Sequence, residues 1–166
     1  VTTPPLVLYP DPRLKQPAEP VRDFDDALQT VIADIVDTMR AAPAVGLTAV
    51  HIGINRRVVV LLLPDPSTAV PEVFVNPEII AASPETARHT EGSVSMPGLS
   101  EAVERPARVT VRYQTPDGTV RETGAEGFRA TCLLHEIDQL DGLFWIERLS
   151  RLKRDRLIKR FGKRER

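Results

Sequence analysis

The sequence is poor in several residues that commonly build functional sites. It has one cysteine, Cys132, so no internal disulfide can close, and a reducing, cytoplasmic setting is the expected one. Its histidines are His51, His89 and His135, so any metal centre must draw on a short roster of nitrogen donors. No apolar run approaches the ~20 residues of a membrane-spanning helix, and no signal-peptide pattern opens the chain. Membrane contact is therefore not expected. Neither an internal repeat nor a linker interrupts the 166 residues, and a 42% hydrophobic content suits one domain over 1–166 with its own core.

What is present is unevenly placed. Net charge is −1, yet residues 151–166 carry nine Lys/Arg against Asp155 and Glu165, leaving the tail at +7 and the remainder at −8. Residues 1–22 hold six of the fifteen prolines and should run extended over the surface. From Asp23, an N-cap candidate, Phe24, Leu28, Val31, Ile32, Ile35 and Met39 recur at helical spacing, predicting a helix over 24–41 that stops before Pro43. The continuous β-branched run RRVVVLLL (56–63) reads as a buried strand. EVFVNPEII (72–80) and RVTVRYQTPDGTV (108–120) follow, the latter turning at Pro116-Asp117-Gly118. A second helix is expected from Gly127 to Leu140. A basic amphipathic helix over about 150–161, with Leu152, Leu157, Ile158 and Phe161 on its apolar side, leads into the tail that ends at 166. Helices among antiparallel strands predict an α+β domain.

The second helix carries HEIDQ (135–139). Two histidines at i and i+4 with a glutamate beside the first would hold a metal on one helix face, but Gln139 stands at the fifth position, and a carboxamide is a poor transition-metal ligand. Three spaced segments, AVGLTAVHIG (44–53), EGSVSMPG (91–98) and HEIDQLDG (135–142), resemble the peptide deformylase family in their order. VLYPDPRLKQPAEPV, FVNPEI and RPARVTV extend the resemblance from Leu8 to about Lys159. It implies a peptide-deformylase-like fold, with antiparallel strands around the helix that carries HEIDQ and a further helix at the C-terminus.

The family pattern also implies a divalent metal (Fe, Ni or Zn) held by a Cys and two His, a Glu that moves the proton of a metal-bound water, and a Gln that steadies the oxyanion. Carried over, His135 keeps one metal ligand and Glu136 the general base. Gly46, Gly92 and Ser95 keep loop positions. Ser93 stands where the Cys belongs, Gln139 where the second His belongs and His51 where the Gln belongs. A serine hydroxyl is neutral near pH 7 and coordinates Zn or Fe weakly, so tight metal binding and ordinary deformylase activity are expected to be lost. Should a metal remain, His135 and His51 are its candidate ligands.

Ser, His and Gln at the altered positions all retain hydrogen-bonding chemistry. Ligands of one metal sit close together, so Ser93 Oγ and His135 are expected to face each other near hydrogen-bond range, with Glu136 and His51 nearby. That is the arrangement of a nucleophile and its base in covalent acyl transfer. The expected catalytic residues are Ser93, His135, Glu136 and His51, with Val94 N–H, Gly46 and Gln139 serving the oxyanion or substrate. The substrate class is an acyl-amide or N-formyl-peptide-like group. A catalytically inactive paralogue that binds a peptide-like ligand, and a metal hydrolase built on His51 and His135, remain as alternatives. His89 reads as a solvated strand residue, Cys132 as a small buried apolar one, and Glu91 with Arg105 as a structural brace. In the family a basic C-terminal helix can dock on ribosomal RNA; here the basic tail reads as such a ribosome contact or as a solvated face.

Overall fold

The computed structural model describes residues 3–164; Val1, Thr2, Glu165 and Arg166, at the outer ends of the proline-rich segment and the basic tail, lie outside the described residues. In chain order the elements are α1 (Asp26–Ala41), β1 (Gly46–Thr48), β2 (Val58–Leu61), β3 (Glu72–Ala82), β4 (Thr86–Ser93), β5 (Met96–Pro106), β6 (Arg108–Gln114), β7 (Val120–Glu126), α2 (Gly127–Leu140) and α3 (Arg151–Arg164). Short 3₁₀ turns occupy Pro12–Lys15, Ala49–Ile52 and Trp145–Arg148. Among the described residues, 3–11 and 16–24 carry no helix or strand.

Helix α1 forms where the apolar period predicts it, but its cap is Asp25 and not Asp23. The Asp25 carboxylate accepts from Leu28 N–H at 3.1 Å. A capping side chain must sit about three residues before the N–H it satisfies, and Asp23 lies too far out. Leu28, Ile32, Ile35 and Met39 form the buried stripe.

Strands β1-β2-β3-β6-β7 form one antiparallel sheet. Strand β2 explains its unbroken apolar run. Val58 and Val60 join the core against α1, whereas Val59 and Leu61 join the core that contains Leu133 and Ile137 of α2. A strand covered on both faces has no polar position to show. Helix α2 matches its expected span, and every residue from Ala130 to Leu140 is buried. Strands and a central helix therefore pack as the resemblance implies.

Strands β4 and β5 form a separate two-stranded antiparallel sheet; the strand read at His89 is β4, but its bounds and its partner β5 are not among the elements expected from sequence. In β4 the one buried residue is Glu91, and the buried apolar residues of β5, Met96, Leu99 and Val103, are spaced three and four apart, so no apolar alternation announces the pair. The hairpin matters because Ser93 is its last β4 residue, next to a register shift at Gly92/Ser93. Helix α3 runs three residues beyond its expected end, buries Leu157 and Phe161, and leaves Leu152 63% exposed rather than on the packed side. No helix among the described residues is long and apolar enough to cross a membrane.

Candidate active site

The three motifs meet at a cavity of about 570 Å³. Gly46 and His51 come from β1 and the turn after it, Ser93 and Val94 from the tip of the β4–β5 hairpin, and His135 and Glu136 from α2. Leu47, Leu99, Phe128 and Cys132 supply apolar wall.

His135 is the most tightly braced of these groups. Its Nδ1 lies 2.7 Å from Glu91 Oε1. Arg105 then grips Glu91 through two hydrogen bonds, Nε–Oε2 at 2.6 Å and Nη2–Oε1 at 2.9 Å, and reaches Asp138 Oδ2 at 2.7 Å. Asp138 in turn receives two hydrogen bonds from Arg148. Glu91 and Arg105 thus do more than brace a loop, because they orient the histidine. Burial alone would raise the Glu91 carboxyl, but hydrogen bonds from His135 and Arg105 hold it below the ordinary carboxylate range. An ionised carboxylate only accepts, so His135 Nδ1 carries a proton and Nε2 bears the lone pair of the neutral ring. Burial opposes charging of His135, yet the neighbouring Glu136 carboxylate and the Glu91 hydrogen bond hold its pKa above the ordinary imidazole value.

His51 is held the other way round. Its Nδ1 accepts from Thr48 N–H at 3.0 Å, with Thr48 Oγ1 at 2.9 Å. A backbone N–H can only donate, so the ring proton sits on Nε2. Burial, and then the charge on His135, push the His51 pKa down to about 3, leaving the ring neutral at ordinary pH.

Glu136 is buried, its Oε1 has no hydrogen-bond partner, and burial pushes its pKa up. Gly46 makes room for it, since a Cβ there would lie 2.6 Å from Glu136 Oε2. Cys132 does line the cavity, but burial and then Glu136 push its thiol up to about 12, so it behaves as the small apolar residue expected.

Three placements differ from expectation. Ser93 and His135 share the cavity without a hydrogen bond between them; Ser93 Oγ accepts from Ser95 N–H at 3.1 Å instead. Gln139 does not line the cavity, because its amide donates to the Leu14 carbonyl at 2.8 Å. His89 is not a freely solvated residue, since its Nδ1 pairs with Thr131 Oγ1 at 2.9 Å across to α2. Two pairings have no local sequence signal: Thr48 with His51 and Glu91 with His135. The strand read at His89 does set Glu91 two residues from Ser93 on one face, but Glu91 reads there only as the partner of Arg105, and nothing local aims it at His135.

The metal implied by the resemblance finds no matching donor set. Among the described residues no group of three or more His, Cys, Asp or Glu side chains is placed to hold a metal ion. Gln139 is turned to Leu14, and the Ser93 hydroxyl is a weak neutral donor.

The family model described as polypeptide deformylase matches residues 3–155. A peptide deformylase-like protein of Rhizobium meliloti is 58% identical over 159 residues, covering 96% of this chain and 91% of its own. A peptide deformylase of Phenylobacterium zucineum is 45% identical, covering 95% and 94%. The crystal structure of a peptide deformylase from Legionella pneumophila superimposes with a TM-score of 0.92 at 36% identity, covering 99% of this chain and 96% of that one. With the family model, the relatives and the superimposed structure agreeing over nearly the whole sequence, this chain belongs to the polypeptide deformylase family.

Proposed function

We propose that the protein hydrolyses or transfers the acyl group of an acyl-amide or short N-formyl-peptide-like substrate, with Ser93 as nucleophile and without the tightly bound metal of its family. The observation that carries this reading is the 2.7 Å Glu91–His135 contact on the wall of a cavity that also holds Ser93. A histidine whose Nδ1 is fixed on a carboxylate presents Nε2 as a base, which is the arrangement acyl transfer to serine needs. Ser93 Oγ attacks the carbonyl carbon as its proton passes to His135 Nε2. The C–N bond then breaks, and His135 returns the proton to the departing amine. Water or an acceptor nucleophile releases the acyl group from Ser93. The Nε2–H of His51 and the backbone N–H of Val94 serve the oxyanion, and Glu136 shuttles protons beside His135.

The test is acylation by an activated ester, 4-nitrophenyl acetate, followed by peptide mass mapping. The adduct is expected on Ser93 and absent from Ser93→Ala, which should also lose turnover. A second reading draws on the unpartnered Glu136 Oε1 and the missing Ser93–His135 hydrogen bond: the carboxylate activates a water. Full activity in Ser93→Ala with none in Glu136→Gln would replace the first reading with the second. A folded protein that binds formyl peptides tightly and turns none over would be a binding paralogue.

A further inference from the structure

The N-terminal segment has little regular structure, yet its backbone touches all three motifs. Val7 N–H donates to the His51 carbonyl at 2.8 Å. The Val7 carbonyl accepts from Ser95 Oγ at 2.6 Å, and Tyr9 N–H donates to the Ser95 carbonyl at 2.8 Å. Farther along, the Leu14 carbonyl accepts from Gln139 Nε2 at 2.8 Å, and Ala18 N–H donates to the Leu140 carbonyl at 2.7 Å. Gly142 lets the chain pass at this end, where a Cβ would lie 2.6 Å from the Lys15 carbonyl. Its φ of +80° also suits glycine.

These contacts lead to the proposed chemistry. Ser95, wholly buried and gripped twice by the segment, donates its own N–H to Ser93 Oγ. His51 is gripped at its carbonyl. At the other end, Gln139 is buried, and its hydrogen bond to Leu14 is a tether from α2 to a carbonyl 125 residues away.

We infer that residues 7–18 are a strap that sets the positions of Ser93 and His51 relative to α2, and that Gln139 is its inner anchor. Gln139 and Ser95 are positioning residues, not catalytic ones, and their catalytic consequence rests on the roles proposed above for Ser93 and His51. Gln139 therefore has a definite task in this chain. Its side chain is held away from the cavity because the strap needs its N–H.

The test compares the full-length parent chain with Gln139→Met, Gln139→Glu and Ser95→Ala. Methionine keeps length and bulk without a donor, glutamate keeps shape with a carboxyl in place of the amide, and alanine removes only the Ser95 Oγ hydrogen bond to the Val7 carbonyl. Amide hydrogen exchange at Val7 and Tyr9 is read by NMR, with the Ser93 and Val94 amide shifts in the same spectra. Acylation by 4-nitrophenyl acetate gives the rate and KM. Loss of one buried hydrogen bond should speed exchange at Val7 and Tyr9 and slow acylation by about tenfold each, with KM within about twofold. The Gln139→Met/Ser95→Ala double variant should lose less than the product of the two single losses, because both act through one strap. Unchanged exchange and unchanged Ser93 and Val94 shifts in both Gln139 variants would overturn the strap. Faster exchange with unaltered acylation would overturn its positioning role. If the parent takes no acyl group at all, the proposed chemistry fails, while the exchange and shift data still decide whether Gln139 anchors a strap that positions the hairpin tip.

Discussion

His51 and His135 stand in one cavity with opposite proton placement, and each owes this to a neighbour that leaves no choice. Thr48 N–H makes an acceptor of His51 Nδ1, and the Glu91 carboxylate makes a donor of His135 Nδ1. One ring thereby keeps its proton on Nε2 and the other leaves Nε2 bare in its neutral form, the donor and the base that the proposed function calls for. Activity that uses His135 as a base requires its neutral form, so the rising limb of kcat/KM with pH should lie above the ordinary imidazole value of 6.5. Glu136 is the chief neighbour holding that pKa up. Glu136→Gln should move the limb to lower pH and leave a working serine enzyme. A limb that stays in place would remove Glu136 from the electrostatics of His135, and a dead variant would favour the water mechanism.

At the scale of the element, α1 shows how a local rule sets a boundary. Asp25 caps the helix through Leu28 N–H, and Asp23 makes no such contact. Replacing Asp25 by Ala should lower stability by about 1 kcal/mol, while Asp23→Ala should cost much less. Urea unfolding of the two variants separates the assignments, and equal losses would mean the helix starts earlier. The β4–β5 hairpin follows a different logic. Its strands pair with each other alone, outside the five-stranded sheet. Its tip is held by the strap through Ser95, and its base by the Arg105 ion-pair cluster. Such a hairpin can present Ser93 to the cavity without belonging to the main sheet.

For the whole molecule, the buried pair of histidines links folding to pH. In the unfolded chain His51 takes up a proton near pH 6.5, while in the folded protein it stays neutral down to about pH 3. Between these values the unfolded state binds more protons, so stability is lost as pH falls from 6.5 towards 3. The contribution of one such group is a slope of about 1.4 kcal/mol per pH unit inside that window. His51→Gln removes the titrating group, and the acid side of its stability profile should be shallower than that of the parent by up to this slope. Parallel profiles would show that His51 is accessible to protons in the folded state. A second whole-molecule measurement concerns metal. Protein purified without added metal should contain far less than one equivalent of Zn, Fe or Ni by elemental analysis. A stoichiometric, chelator-resistant metal would point to His51 as a recruited ligand beside His135.

The parts of this protein that follow from sequence alone are those governed by near neighbours. The 3.6-residue period of α1, the β-branched run of β2 and the span of α2 are written in adjacent residues, because burial of one face or both repeats at fixed intervals. The order of the three motifs likewise carried the family. Side-chain direction is another matter. His135 meets Glu91 across 44 residues, and Gln139 meets Leu14 across 125. No periodicity reports such pairs. Whether Gln139 faces the cavity or the strap depends on which buried carbonyl lies within hydrogen-bond reach, and an unsatisfied buried carbonyl is costly. Ser93 was expected to face His135, and its hydroxyl found the Ser95 N–H because the hairpin tip turns there. The resemblance implies one cavity for His51, Ser93, His135 and Glu136, and all four line it. Only the tertiary packing chose their partners, since a buried polar atom takes the nearest group of complementary hydrogen-bonding sense.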